Sequence, residues 1–174
     1  RMVSAVSYGP GEEAEFILNG TSLGRVPYER LTAKMDISYT PGILEAVSYR
    51  EGKEISRGSL VTAGEAVRIL AEPEQDTLKG DGQDICYIRI MIADENGVRL
   101  PAEEREIQAE LTGPAVPAAL GSGNPCTEDQ IGQMSCHTFH GTAQLIIKVS
   151  EAGKIGIAVR SGGLQTGYAA VHAV

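Results

Sequence analysis

Glu15-Phe16-Ile17-Leu18 runs straight into Asn19-Gly20. A short β-forming run followed by the pair that best tolerates the two positive φ angles of a type I′ turn reads as a hairpin. Outward from it the same punctuation recurs. Residues 34–39 alternate apolar and polar, Thr40-Pro41-Gly42 turns, residues 43–49 run back, Glu51-Gly52 turns again and residues 55–62 form a further strand. Two adjacent hairpins are expected there. Ala63-Gly64 interrupts the pattern, and new strands are predicted at residues 65–70, 84–93, 144–150, 155–160 and 167–174, with Asp94-Glu95-Asn96-Gly97 turning the chain towards Val98-Arg99-Leu100. Residues 103–111 hold helix-favouring types, but Ile107, Ala109 and Leu111 repeat with a period of two, so this segment too is read as a strand.

Strands about ten residues apart with turns between them predict an all-β protein, two tandem immunoglobulin-like antiparallel β-sandwiches. Residues 1–62 would be a small β-sandwich module and residues 63–174 an immunoglobulin-like domain. Charge shifts at the same point: the first part carries 7 basic and 8 acidic side chains, the second 8 and 15. With 174 residues and no helical crossovers, neither a (β/α)8 barrel of about 250 residues nor a dinucleotide-binding α/β fold fits.

The net charge of −8 opposes nucleic acid and anionic membrane surfaces as partners, since both recruit basic residues. No apolar run approaches the roughly 18 residues needed to cross a bilayer. Three cysteines, Cys86, Cys126 and Cys136, are sparse and odd in number, so free thiols are expected. The chain opens Arg1-Met2-Val3, which suggests a fragment whose targeting segment, and hence compartment, is set elsewhere.

Longer strings carry a family resemblance. Residues 14–25 (Ala14-Glu15-Phe16-Ile17-Leu18-Asn19-Gly20-Thr21-Ser22-Leu23-Gly24-Arg25) and the hairpin from Tyr39 through Pro41, Gly42, Leu44, Ala46 and Tyr49 to Gly52-Lys53 resemble small modules near the C-terminus of family 2 glycoside hydrolases, the β-galactosidase group. Met35 stands where many such modules have Trp. Downstream, Leu78-Lys79-Gly80-Asp81-Gly82-Gln83-Asp84-Ile85, Gly121-Ser122-Gly123-Asn124-Pro125, residues 138–147 and Ser161-Gly162-Gly163-Leu164 are similar to the immunoglobulin-like domain that follows in those enzymes. The Gly-Asp pair that the family often has between Asn124 and Pro125 is absent. The resemblance implies accessory modules whose catalytic carboxylates lie in a barrel domain outside this chain. Its partners would be that barrel and other domains of the same polypeptide.

Candidate sites are few. Cys126, Cys136, His137 and His140 offer soft zinc ligands, but adjacent strand residues point to opposite faces and no C-x2-C spacing occurs, so surface or loop histidines are expected. Asp81-Gly82-Gln83-Asp84 and Asp94-Glu95-Asn96-Gly97 offer oxygens for calcium, yet read as turns with solvated acids, unless both loops assemble one site in space. Glu103-Glu104 is the densest carboxylate pair, but no acid sits in an apolar string that would make it a general acid. Asn19-Gly20-Thr21 matches a glycosylation sequon that its turn role already explains. No catalytic, metal or cofactor-binding residue is assigned and no cofactor is expected. The alternative function is a carbohydrate-binding sandwich holding a glycan, with Tyr28 the exposed aromatic and Tyr8, Tyr39, Tyr49, Tyr87 and Tyr168 in the sheets.

Overall fold

A computed structural model describes residues 1–130 and 132–174. Among them are fifteen strands and no helix. The chain divides into two compact units, Arg1–Thr62 and Ala63–Val174.

The first unit holds β1 (Met2–Tyr8), β2 (Glu13–Leu18), β3 (Thr21–Pro27), β4 (Thr32–Ser38), β5 (Ile43–Arg50) and β6 (Lys53–Val61). β1 and β4 form a two-stranded sheet, and the other four form a sheet in the order β3-β2-β5-β6. Asn19 (φ 51°) and Gly20 (φ 78°) make the expected turn between β2 and β3. Glu51-Gly52 joins the antiparallel pair β5 and β6. The hairpin expected between residues 34–39 and 43–49 does not form. β4 pairs with β1 and β5 with β2, so Thr40-Pro41-Gly42 carries the chain from one sheet to the other. This link is clasped by the first turn: the Asn19 side chain donates to Pro41 O (3.0 Å) and accepts from Ile43 N (2.8 Å). A Cβ on Gly42 would overlap that same side chain. The two turn motifs hold each other, and the sequon asparagine is engaged in structure.

Alternation puts Ala5, Ala14, Phe16, Ala33 and Ile37 inside this unit, with Met35 and Tyr28 packed against them. It is a thin core, with a single large fully buried side chain, Phe16, on its inner face. The outer face of the four-stranded sheet is knitted by charge. Arg25 pairs with Glu13 (2.6 Å) and Glu15 (3.3 Å) and lies 3.8 Å over the Tyr49 ring, while Arg57 pairs with Glu45 and Glu54. Their aliphatic stems help cover Val47, which is fully buried between Glu15 and Arg57 in register.

The second unit is a larger sandwich. β7 (Arg68–Pro73), β9 (Ile85–Ala93), β11 (Ala115–Gly121) and β13 (Thr142–Val149) form one sheet in the order β11-β13-β9-β7. β8 (Thr77–Leu78), β10 (Glu106–Thr112), β12 (Ser135–His137), β14 (Gly153–Arg160) and β15 (Gly167–Ala173) form the other, β12-β10-β14-β15-β8, antiparallel except where β8 meets β15. The period-two reading of the helix-favouring segment holds: Ile107 and Ala109 of β10 point inward and are buried. Val98-Arg99-Leu100 makes only a bridge to β9 rather than a strand. Ile88, Ile90, Ile92, Leu120, Leu145, Ile147 and Ile155 fill the space between the sheets. Burial of this many branched side chains, each contributing about 1.5–3 kcal/mol, is what a sandwich of this size requires.

Candidate functional site

The soft-ligand cluster does not assemble. Cys136 on β12 is buried in the core, where loss of solvent pushes its thiol up to about 11. His137, the next residue, faces out. Its Nδ1 lies 2.9 Å from Asp129 Oδ1, and its backbone N–H donates to Asp129 Oδ2 (2.7 Å). Those bonds hold Asp129 below the ordinary carboxylate range and raise His137 above its own. His140 packs its ring on Phe139 (4.1 Å between centroids), and Cys126 is exposed in a loop. All three cysteines are free, and among the described residues no three of His, Cys, Asp or Glu gather as metal ligands.

The two acidic turns spend their oxygens on the backbone. Asp81 accepts from the N–H groups of Gln83 and Asp84, and Asp84 from those of Lys79 and Ile85. Asp94 is not solvated as the sequence reading had it, being only 2 % exposed. Its carboxylate takes three backbone N–H groups, from Gly64 (2.8 Å), Asn96 (2.9 Å) and Val98 (2.8 Å). A shared site is ruled out by distance, because Asp84 and Asp94 flank the two ends of the nine-residue β9, about 30 Å apart at the usual rise per residue.

The Gly64 N–H, with those of Val98 and Asn96, holds the Asp94 carboxyl below its ordinary value. A depressed folded-state pKa contributes stability that is complete above the unfolded value near ~4 and is lost as pH falls through the folded one. The unfolding midpoint of the second unit should therefore drop as pH falls below about 4. In Asp94→Asn it should start lower and fall less. Equal acid sensitivity in both proteins would remove Asp94 from the account.

Glu103 pairs with Arg105 (2.6 Å) rather than facing a second carboxylate. An acidic recess lies beside β12, an open depression of about 280 Å³ lined by Glu106, Glu128, Asp129 and His137 among others. Every carboxylate whose acidity its surroundings shift, namely Glu15, Glu54, Asp81, Asp94 and Asp129, moves down. A glycosidase general acid must move up.

Tyr8, Tyr49, Tyr87 and Tyr168 lie in strands as expected, while Tyr39 follows the end of β4 and Tyr28 is not the exposed aromatic. Tyr28 is half-buried, its hydroxyl wedged between Ser7 Oγ (2.7 Å) and Ser48 Oγ (2.6 Å), because the loop after β3 folds back over the inner face of the sheet. Tyr8 (79 % exposed), Tyr39 (52 %) and Tyr168 (72 %) stand out instead. Tyr8 and Tyr39 lie at opposite ends of the β1–β4 sheet, so these two share no platform for a sugar ring, and Tyr168 belongs to the second unit.

One concavity among the described residues was not anticipated. A groove of about 740 Å³ in the first unit runs between β1 and β6, with Phe16, Leu44 and Ala46 at its floor. The sequence signal for it was faint: Leu60 alternates inward like a core residue, yet is 74 % exposed.

Stacked antiparallel sheets, an apolar groove and acids committed to backbone amides define β-sandwich modules. Residues 69–169 match the family described as glycoside hydrolase family 2 C-terminal domain 5, and residues 2–56 match a domain of unknown function (DUF4982). The chain belongs to the first of these families. It is 25% identical over 161 residues to a β-galactosidase of Bacteroides ovatus, an alignment taking in 91% of this chain and 19% of that protein. Its fold superposes with a TM-score of 0.93 on a glycosyl hydrolase family 2 member from Bacteroides cellulosilyticus, at 25% identity over 100% of this chain and 23% of the other. A β-glycosidase from Bacteroides vulgatus gives 0.94 at 23% identity, covering 99% and 22%, a likeness of fold. The chain spans about a fifth of the length of these relatives.

Proposed function

We propose that this chain forms two accessory domains, residues 1–62 and 63–174, of a family 2 glycoside hydrolase, and that they support its catalytic domain without carrying catalytic groups. The observation that carries this reading is the open inner face of the first unit, where residues 1–62 leave core-type side chains such as Leu60 uncovered. A unit of about 60 residues with so thin a core is marginal alone, and packing against the rest of a larger enzyme would complete it. The greater length of its relatives, of which this chain covers about a fifth, supports such a partner. The downward-shifted carboxylates support the absence of glycosidase chemistry.

Deletion of residues 1–174 from the enzyme tests the proposal. The truncated enzyme is expected to lose thermal stability and kcat/KM on a chromogenic β-galactoside or β-glucuronide, whereas the isolated chain hydrolyses neither. Full stability and activity after deletion would overturn the architectural role. Hydrolysis by the isolated chain, or its reproducible binding to one glycan on an array, would replace it with a catalytic or a carbohydrate-binding role.

A further inference from the structure

In the first unit the chain passes directly from β3 to β4 through a tight turn, closed by the Glu29–Thr32 bridge, that links the two sheets covalently. On the opposite side, among the described residues, β1 hydrogen-bonds only to β4 and β6 only to β5, so each presents an unpaired backbone edge to the groove. Exposed edges are templates for a further strand, and proteins ordinarily pair or cover them.

Side-chain alternation shows what is missing. Leu60, Gly58 and Ser56 of β6 stand in register with Leu44, Ala46 and Ser48 of β5, and therefore on the inner face. The β1–β4 sheet stops short of them: all nine residues of β6 are exposed. The outer face of the same strand is occupied by the Arg57–Glu45–Glu54 network. What the four-stranded sheet lacks is cover on its inner side, beyond β1.

Gly58 is a third observation. Its backbone lies outside the left-handed region, and a Cβ built on it would meet nothing within 4 Å. Neither conformation nor packing within the first unit calls for glycine there, and glycine inside a strand weakens it. Close approach of another backbone is the remaining reason for it.

We propose that this groove receives a single extended segment of the larger polypeptide, from outside residues 1–174, which pairs with the free edge of β1 and lies across Gly58 and Leu60. The inference rests on the reading that the chain is part of a longer glycosidase. Relatives about five times as long leave ample polypeptide to supply the segment. β1 offers seven residues, about 23 Å of edge. The segment would alternate, its apolar side chains turned to Phe16, Leu44 and Leu60. A second copy fits poorly, because its edges belong to a two-layer sandwich about 10 Å from sheet to sheet, too thick to enter between the walls.

Hydrogen exchange read by mass spectrometry on the 174-residue chain and on the full-length enzyme is the test. Amides of β1 that point away from β4 are expected to exchange rapidly in the chain and more slowly by a factor of about ten or more in the enzyme. Gly58→Val should leave the Tm of the chain unchanged or raised, since valine favours strands and meets open space, while in the enzyme it should abolish the added protection of β1. Equal exchange of β1 and β6 in both proteins would overturn the inference. Protection confined to other surfaces of the first unit would do so too, while sparing the accessory role. Protection that rises with concentration of the chain alone would assign the groove to a second copy instead. Persistent β1 protection in Gly58→Val would refute close approach at that glycine.

Discussion

Leu145→Ala is expected to destabilise the 63–174 unit by about 2–5 kcal/mol, because it removes a fully buried side chain and leaves a cavity that rigid sheets cannot collapse into. Leu145 lies on β13, a central strand, opposite Leu120 of β11 on one side and Ile88 of β9 on the other, both also buried. Urea unfolding, with the transition of each unit followed separately, measures the loss. Leu60→Ala is the matched control: the same atoms are deleted from a side chain that is 74 % exposed, and its effect should stay within about 0.5 kcal/mol. Similar losses at the two positions would contradict the assignment of the core.

The second large effect is expected at a glycine. Gly113 has φ +89° in the link that takes the chain from β10 in one sheet to β11 in the other. A Cβ there would lie 2.1 Å from the backbone oxygen of Lys154 and 3.1 Å from the Cα of Ile155. These atoms belong to β14, hydrogen-bonded to β10, and cannot move aside as a flexible side chain would. Gly113→Ala should therefore cost about 3 kcal/mol or more, combining a strained backbone with an overlap. Gly162→Ala, where a Cβ meets nothing within 4 Å, should change stability by no more than about 0.5 kcal/mol. A small effect at Gly113 would mean that the link relaxes, which would show as altered exchange in β11.

Much of the site chemistry was legible because it is local. The acidic turns serve as turns since their carboxylates reach amides only a few residues away, as with Asp81 and the N–H groups of Gln83 and Asp84. Cys136 and His137 point apart because neighbours on a strand must. Tyr28 was misjudged because its exposure depends on Ser7 and Ser48, distant in sequence, coming together beneath it. Asp94 was misjudged for the same reason: Gly64 reaches it from thirty residues away.

By itself the sequence determined the all-β class and the Asn19-Gly20 and Glu51-Gly52 hairpins, through alternation of period two and turn residues suited to positive φ. It also determined that the segment read over residues 103–111 is a strand, found at Glu106–Thr112, because burial of Ile107 and Ala109 on one face outweighs the modest helix preference of the glutamates around them. Only the tertiary structure decided that β4 and β5 belong to different sheets, that Asn19 clasps the crossover between them, and that β6 is left uncovered. Alternation marks which face of a strand is apolar, whereas the choice of neighbouring strand, and whether that face finds a partner, depends on contacts between segments far apart in the chain.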